Sequence, residues 1–183
     1  MKSAIVACAL LICSIGHAAV EAVTYTDDVL TLQIPADFEG PVKHNPSPSA
    51  SAVAYAKSSA DGSAKTLLQI STYDFGSQLD GMPEAQRAEI TESYLLQFLS
   101  GVERRRASFT KSSPTQLTLG GILASRIDWT GTAEGTAASG TMYCVVAGTR
   151  VISFHVQTSG EASSPAVHEA KQAIESVRFR NKD

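Results

Sequence analysis

The chain has 183 residues, 43% of them hydrophobic and 18% charged, with a formal net charge of −3. That weakly acidic balance argues against nucleic acid or anionic lipid as the main partner, since both are held through a surplus of Lys and Arg. The length suits one domain with a single core, which needs no metal or disulfide staple to fold.

Residues 1–18 read as a cleavable secretory signal peptide. Lys2 supplies the positive start, and Ala4 to Ile15 is apolar without a charge. About twelve residues are too few for a membrane span, which takes roughly 20. Gly16-His17-Ala18 sets small side chains three and one residues before a cut after Ala18, and cuts after Ala19 or Ala22 also fit. Cys13 follows Leu10-Leu11-Ile12, which is not the small residue a lipid-anchored leader carries before its cysteine. Cys8 and Cys13 depart with the leader, so the mature chain keeps only Cys144 and can form no internal disulfide. Loss of Lys2 leaves 14 basic against 18 acidic residues.

The remainder, 24–180, reads as a single domain. Val29, Leu30, Leu32 and Ile34 alternate with Thr31 and Gln33 in a half-buried strand that Pro35 closes. Residues 36–50 are rich in Pro, Gly, Asn and Ser and predict a surface loop. Ala50 to Lys57 and Lys65 to Tyr73 predict an antiparallel hairpin around Asp61-Gly62. Pro83 opens a long helix whose apolar stripe, Ile90, Tyr94, Phe98 and Val102 at every fourth residue, joined by Leu95 and Leu99, lies on the sheet. Glu84 and the run Arg104-Arg105-Arg106 match its dipole at either end.

Four meandering strands follow, Gln116 to Leu119, Ile122 to Trp129, Thr141 to Ala147 and Arg150 to Thr158. Gly120-Gly121 joins the first pair, Gly131 to Ser139 forms a small-residue loop, and Gly148-Thr149 is a two-residue turn. Ser164-Pro165 predicts the capped start of a last helix with Val167, Ala170, Ile174 and Val177 facing inward. The fold class is α+β: an antiparallel sheet of about six to seven strands, a hairpin added to a β-α-β4-α order, packed with two main helices.

That order resembles the PsbP-like superfamily, which includes the extrinsic photosystem proteins, the yeast Ran-release factor and bacterial DcrB-like proteins. The first strand ending in Ile34-Pro35, the step Gly121-Ile122-Leu123-Ala124 into a strand ending at Trp129, and the pairing of the Tyr143 and Phe154 strands carry the likeness over nearly the whole mature chain. The resemblance implies a three-layer sandwich and an accessory or binding role without catalytic machinery.

Reactive groups are sparse. His44, His155 and His168 are scattered, without the spacing of a zinc site, and there is no Gly-rich phosphate loop or Gly-x-Ser-x-Gly elbow. Asp27-Asp28 and the acids from Asp74 to Asp80 are weak candidates for a hard cation and read more simply as solvated turn residues. If Gly148-Thr149 is a tight turn, Cys144 faces Ser153 and Met142 faces His155, which makes Cys144 and His155 diagonal neighbours roughly 7–8 Å apart. A nucleophile and base need such a neighbourhood, but apolar Met142 and Val146 and the lack of an orienting group favour a core cysteine. The three arginines fit either a carboxylate or phosphate partner or plain helix-end solvation. Trp129 fits either a partner anchor or a core cap with its indole N–H turned outward.

No catalytic, cofactor-binding or metal-ligating residue is assigned on this reading, and no cofactor is expected. The expected function is an exported non-enzymatic protein-binding module, such as an accessory subunit of an envelope assembly or a toxin-neutralising immunity protein, periplasmic or secreted. Residues 40–50 and 131–140 are its candidate contact loops. The alternatives are a small-ligand or metal-binding periplasmic protein and, third, a Cys/His-dependent enzyme.

Overall fold

The computed structural model describes residues 22–159 and 164–180; the expected signal peptide lies outside them. The segment expected as one strand is a hairpin, β1 (Val23–Thr26) and β2 (Leu30–Ile34). Asp27 makes the turn, its carboxylate accepting from the backbone N–H groups of Val29 and Leu30, both at 2.8 Å. Such a carboxylate satisfies two donors that a tight turn would otherwise leave unpaired.

The expected loop over residues 36–50 is instead largely a strand, β3 (Glu39–Ser47), on the outer edge of the main sheet and exposed throughout. Its register against β4 (Ala50–Ser58) shifts around Pro41 and Pro46. Only an edge tolerates this composition, because a proline has no N–H for a neighbour on each side. β4 and β5 (Lys65–Asp74) form the expected hairpin, joined by a six-residue loop in which Asp61 accepts from Ser59, Ser63 and the Ser63 N–H. Helix α1 (Glu84–Glu103) starts directly after Pro83.

A short strand that the sequence reading did not separate, β6 (Ala107–Lys111), precedes β7 (Thr115–Leu119), β8 (Ile122–Ala133), β9 (Thr136–Ala147) and β10 (Arg150–Ser159). The expected small-residue loop at 131–139 is the continuous end of the β8–β9 hairpin, turned by Glu134 and Gly135 at φ 51° and 80°. Helix α2 (Pro165–Glu175) is capped by Ser164, whose side chain accepts from the Val167 N–H, and a two-residue strand, β11 (Arg178–Phe179), ends the described chain by pairing with β2.

The main sheet is antiparallel in the order β3-β4-β5-β10-β9-β8-β6, with β7 also paired to β8. The early hairpin thus joins the sheet through the last long strand. On one face α1 covers a core of Leu95, Leu99, Ile127, Cys144, Val146 and Val151. On the other, α2 and the small sheet β1-β2-β11 close over Leu68, Ile70, Tyr143, Val145, Phe154 and Val156. These are the three layers of an α+β sandwich, in which each apolar face of the sheet is buried by a separate cover. No helix among the described residues is long and apolar enough to cross a membrane.

Candidate functional site

The β9–β10 turn is as tight as its Gly-Thr pair predicts: Ala147 faces Arg150, Cys144 faces Ser153 and Met142 faces His155. Strand alternation then sends Cys144, Ser153, His155 and Gln157 to the α1 side. Cys144 is 0% exposed, and burial pushes its thiol up to about 12. A thiol so placed stays protonated and unreachable, and behaves as a small apolar core residue.

His155 is committed elsewhere. The Trp129 indole N–H donates to its Nε2 at 3.1 Å, which places the proton of the neutral ring on Nδ1. Burial, with a smaller contribution from the positive charge of Arg106, lowers the ring to about 3. A base that weak and already accepting a hydrogen bond takes no proton from a thiol at neutral pH. The diagonal pair read from the sequence therefore exists in register and is not a catalytic dyad.

Trp129 is the joint of this arrangement. Its indole N–H points inward to His155 rather than outward to solvent. Its ring passes over Gly140, where a Cβ would lie 2.6 Å from the indole Cζ2 and 2.5 Å from the Val156 carbonyl oxygen. Gly140 is therefore small because Trp129 is large. Arg106 stacks over the indole, 4.4 Å from the ring centroid, and donates to the Val102 carbonyl at 2.9 Å and to the Gln157 side-chain oxygen at 2.6 Å. Of the three arginines, Arg106 is thus built into the fold, Arg104 donates back to the Ser100 carbonyl of α1, and Arg105 is exposed. Arg106, Trp129 and His155, picked separately from the sequence, form one stacked and hydrogen-bonded chain that reaches β10.

Beside that chain, α1 packs over β8 and β9, touches β10 only at its margin, and meets β5 through the stack of Phe98 on Tyr73. The uncovered strip is a cleft of about 490 Å³. Its floor is polar: Gln69 and Ser71 from β5, Ser153 and His155 from β10. Its walls are Phe98 and Val102 of α1, with Phe98 stacked on Tyr73 at a centroid distance of 5.0 Å, and Arg105 stands at its end. Beyond it the same sheet face continues over Ala52, Ala54 and Ala56 of β4, all half-buried.

A second cleft of about 440 Å³ lies by α2. It centres on Asp128, which accepts from Thr141 at 2.5 Å and from Arg126 at 2.8 Å, with Lys171 at 3.8 Å. Burial works to raise the Asp128 carboxyl, but those hydrogen bonds and positive charges outweigh it, so the group sits below its ordinary value. The remaining acids named above serve the frame. Asp28 and Asp74 flank Arg150, at 2.6 Å and 3.4 Å, tying the small sheet to the main one. His44 and His168 lie apart from His155 on other elements, and no group of three or more metal-ligating side chains occurs among the described residues.

The described residues form a three-layer α+β domain in which Cys144 is buried and His155 is bonded to Trp129. No family model matches the sequence, and no curated protein does. Solved structures similar to it include the cyanobacterial PsbP, CyanoP, of Synechocystis sp. PCC 6803, with a TM-score of 0.60 at 9% identity over 90% of this chain and 96% of that one. A protein of unknown function from Pseudomonas aeruginosa, PA94, matches with a TM-score of 0.50 at 18% identity, over 88% of this chain and 99% of that one. LpqN, described as involved in cell envelope biogenesis of Mycobacterium tuberculosis, matches with a TM-score of 0.50 at 15% identity over 83% of each chain. The chain has the PsbP-like fold its order of elements implied. Likeness at such identities is one of fold, and function has to be argued from the site.

Proposed function

We propose that this protein is an exported, non-enzymatic binding module of the cell envelope whose partner is another protein. The observation that carries the reading is the fate of Cys144 and His155: the side chains best suited to covalent or acid–base work are, respectively, sealed in the core and bonded to Trp129. What remains at the surface is recognition chemistry. The open sheet face over β3, β4 and β5 adjoins the cleft, and small half-buried side chains let a partner approach the backbone closely there. The apolar leader-like segment at residues 4–15 supports export, and an envelope role agrees with the printed role of LpqN.

The test is capture of partners by the tagged mature chain from an envelope fraction, run beside Ala54→Arg on the open face and Asp61→Ser in the distant β4–β5 loop. A stoichiometric protein lost with Ala54→Arg and kept with Asp61→Ser supports the reading. A blank, or a partner indifferent to Ala54→Arg, overturns the assignment to this face. The second reading, a small-ligand protein, draws on the cleft beside α1.

A further inference from the structure

We propose that the cleft between the C-terminal end of α1 and strands β5 and β10 is a binding site for a small organic carboxylate with a short apolar body. The inference stands apart from the protein-partner reading, because it concerns the isolated chain.

Charge comes first. In a chain of net charge −3, the cleft is lined by Arg105 and Arg106 and by no acidic residue. The ion pairs of the described residues include neither arginine. Arg106 is half-buried and Arg105 lies close enough to disturb it, so two like charges meet at one place without a counter-ion. An unpaired, partly desolvated guanidinium is costly, and an anion from outside removes the cost. Arg106 already spends donors on Val102 and Gln157, whereas Arg105 lines the cleft at an exposed position and its guanidinium makes no hydrogen bond among the described residues.

The floor supplies matching donors. Trp129 occupies Nε2 of His155, so the ring offers Nδ1–H and nothing else. His155 is 7% exposed and Ser153 5%, yet among the described residues no hydrogen bond engages His155 Nδ1 or Ser153 Oγ. Neither atom is sealed in: among the described residues the fully buried, unpartnered polar side-chain atoms are Arg106 Nε, Arg126 Nε and Tyr143 Oη. Both therefore open on the cleft. Ser71 accepts from Gln69 at 2.9 Å, which leaves its own hydroxyl proton free to donate. Two hydroxyls and one imidazole N–H beside a guanidinium suit an oxygen acceptor carrying negative charge, and the neutral donors impose no charge of their own. Phe98, Val102 and Met142 add apolar wall, which a hydrated inorganic anion would leave unused.

The test exploits the chain's single tryptophan, which is Trp129. A ligand bonding Nδ1 of His155 polarises the ring whose Nε2 accepts from the indole, so Trp129 emission reports occupancy. Hexanoate is titrated into the mature chain, beside acetate, inorganic phosphate and hexylamine. The expected result is a saturable emission change with hexanoate, a weaker affinity for acetate and phosphate, and none for hexylamine. Arg105→Gln, at an exposed position, should weaken hexanoate about tenfold, the scale of one lost charge-assisted contact. Ser153→Ala should weaken it less, and Lys111→Gln, away from the cleft, should leave it unchanged. Absence of a saturable change, equal affinity for phosphate and hexanoate, or full affinity in Arg105→Gln overturns the proposal.

Discussion

Acid should unfold this protein earlier than its carboxylates alone require, and His155 is the reason. The native ring titrates at about 3, against an ordinary histidine value of about 6.5 when the chain is unfolded. Between those values the unfolded chain holds a proton that the native one refuses, so native stability is complete above about pH 6.5 and is lost progressively as pH falls toward 3. The slope approaches about 1.4 kcal/mol per pH unit, and the loss between roughly pH 7.5 and 5.0 comes to about 2 kcal/mol. With a urea m-value of about 2 kcal/mol/M, the midpoint should drop by about 1 M. Trp129 emission is the probe, and His155→Gln is the control, since glutamine still offers an oxygen to the indole N–H and does not titrate. The lowered Asp74 and Asp128 act in the same direction but nearer pH 4, below this window. A wild-type midpoint unchanged between the two pH values, or an equal drop in His155→Gln, would refute the reasoning.

Gly140→Ala should destabilise the fold by about 3 kcal/mol or more in urea, because the added Cβ meets the indole and the Val156 carbonyl within 2.6 Å; a loss below about 1 kcal/mol would mean that Trp129 shifts freely. Cys144 should resist thiol reagents in the folded chain and react on denaturation, and Cys144→Ala should cost about 1–2 kcal/mol without altering ligand or partner binding. Asp28→Ala, which breaks a pair with Arg150 whose acid is largely exposed, should lower stability by less than about 1 kcal/mol, read from the same urea transitions. A larger loss would show the small sheet to depend on Asp28.

Elements with a strong local signal were legible along the chain. The β4–β5 hairpin, α1 after Pro83, α2 after Ser164-Pro165 and the register of β9 on β10 all follow from periodicity, capping and turn length, which act between near neighbours. Misreadings arose where position in the sheet overrides composition. Prolines 41 and 46 argue for a loop until β3 is known to be an edge strand, and Ala138 and Gly140 look like loop residues until Trp129 is seen lying over the sheet.

The site divides in the same way. Arg106, Trp129, Cys144 and His155 stood out individually by residue type, and turn geometry made two of them neighbours. That Trp129 takes the imidazole's acceptor nitrogen, that Cys144 is sealed beneath α1, and that Arg105 borders an uncovered strip of β5 and β10 depends on where a helix ends relative to strands more than thirty residues distant in the chain. Sequence by itself determined the α+β order and the elements with a strong local signal, the β4–β5 hairpin, the two helices and the β9–β10 turn, since those are set by short-range chemistry. Only the tertiary structure decided which reactive groups were consumed by the core and which face stayed open, because burial is a property of what packs against a residue and not of its neighbours along the chain.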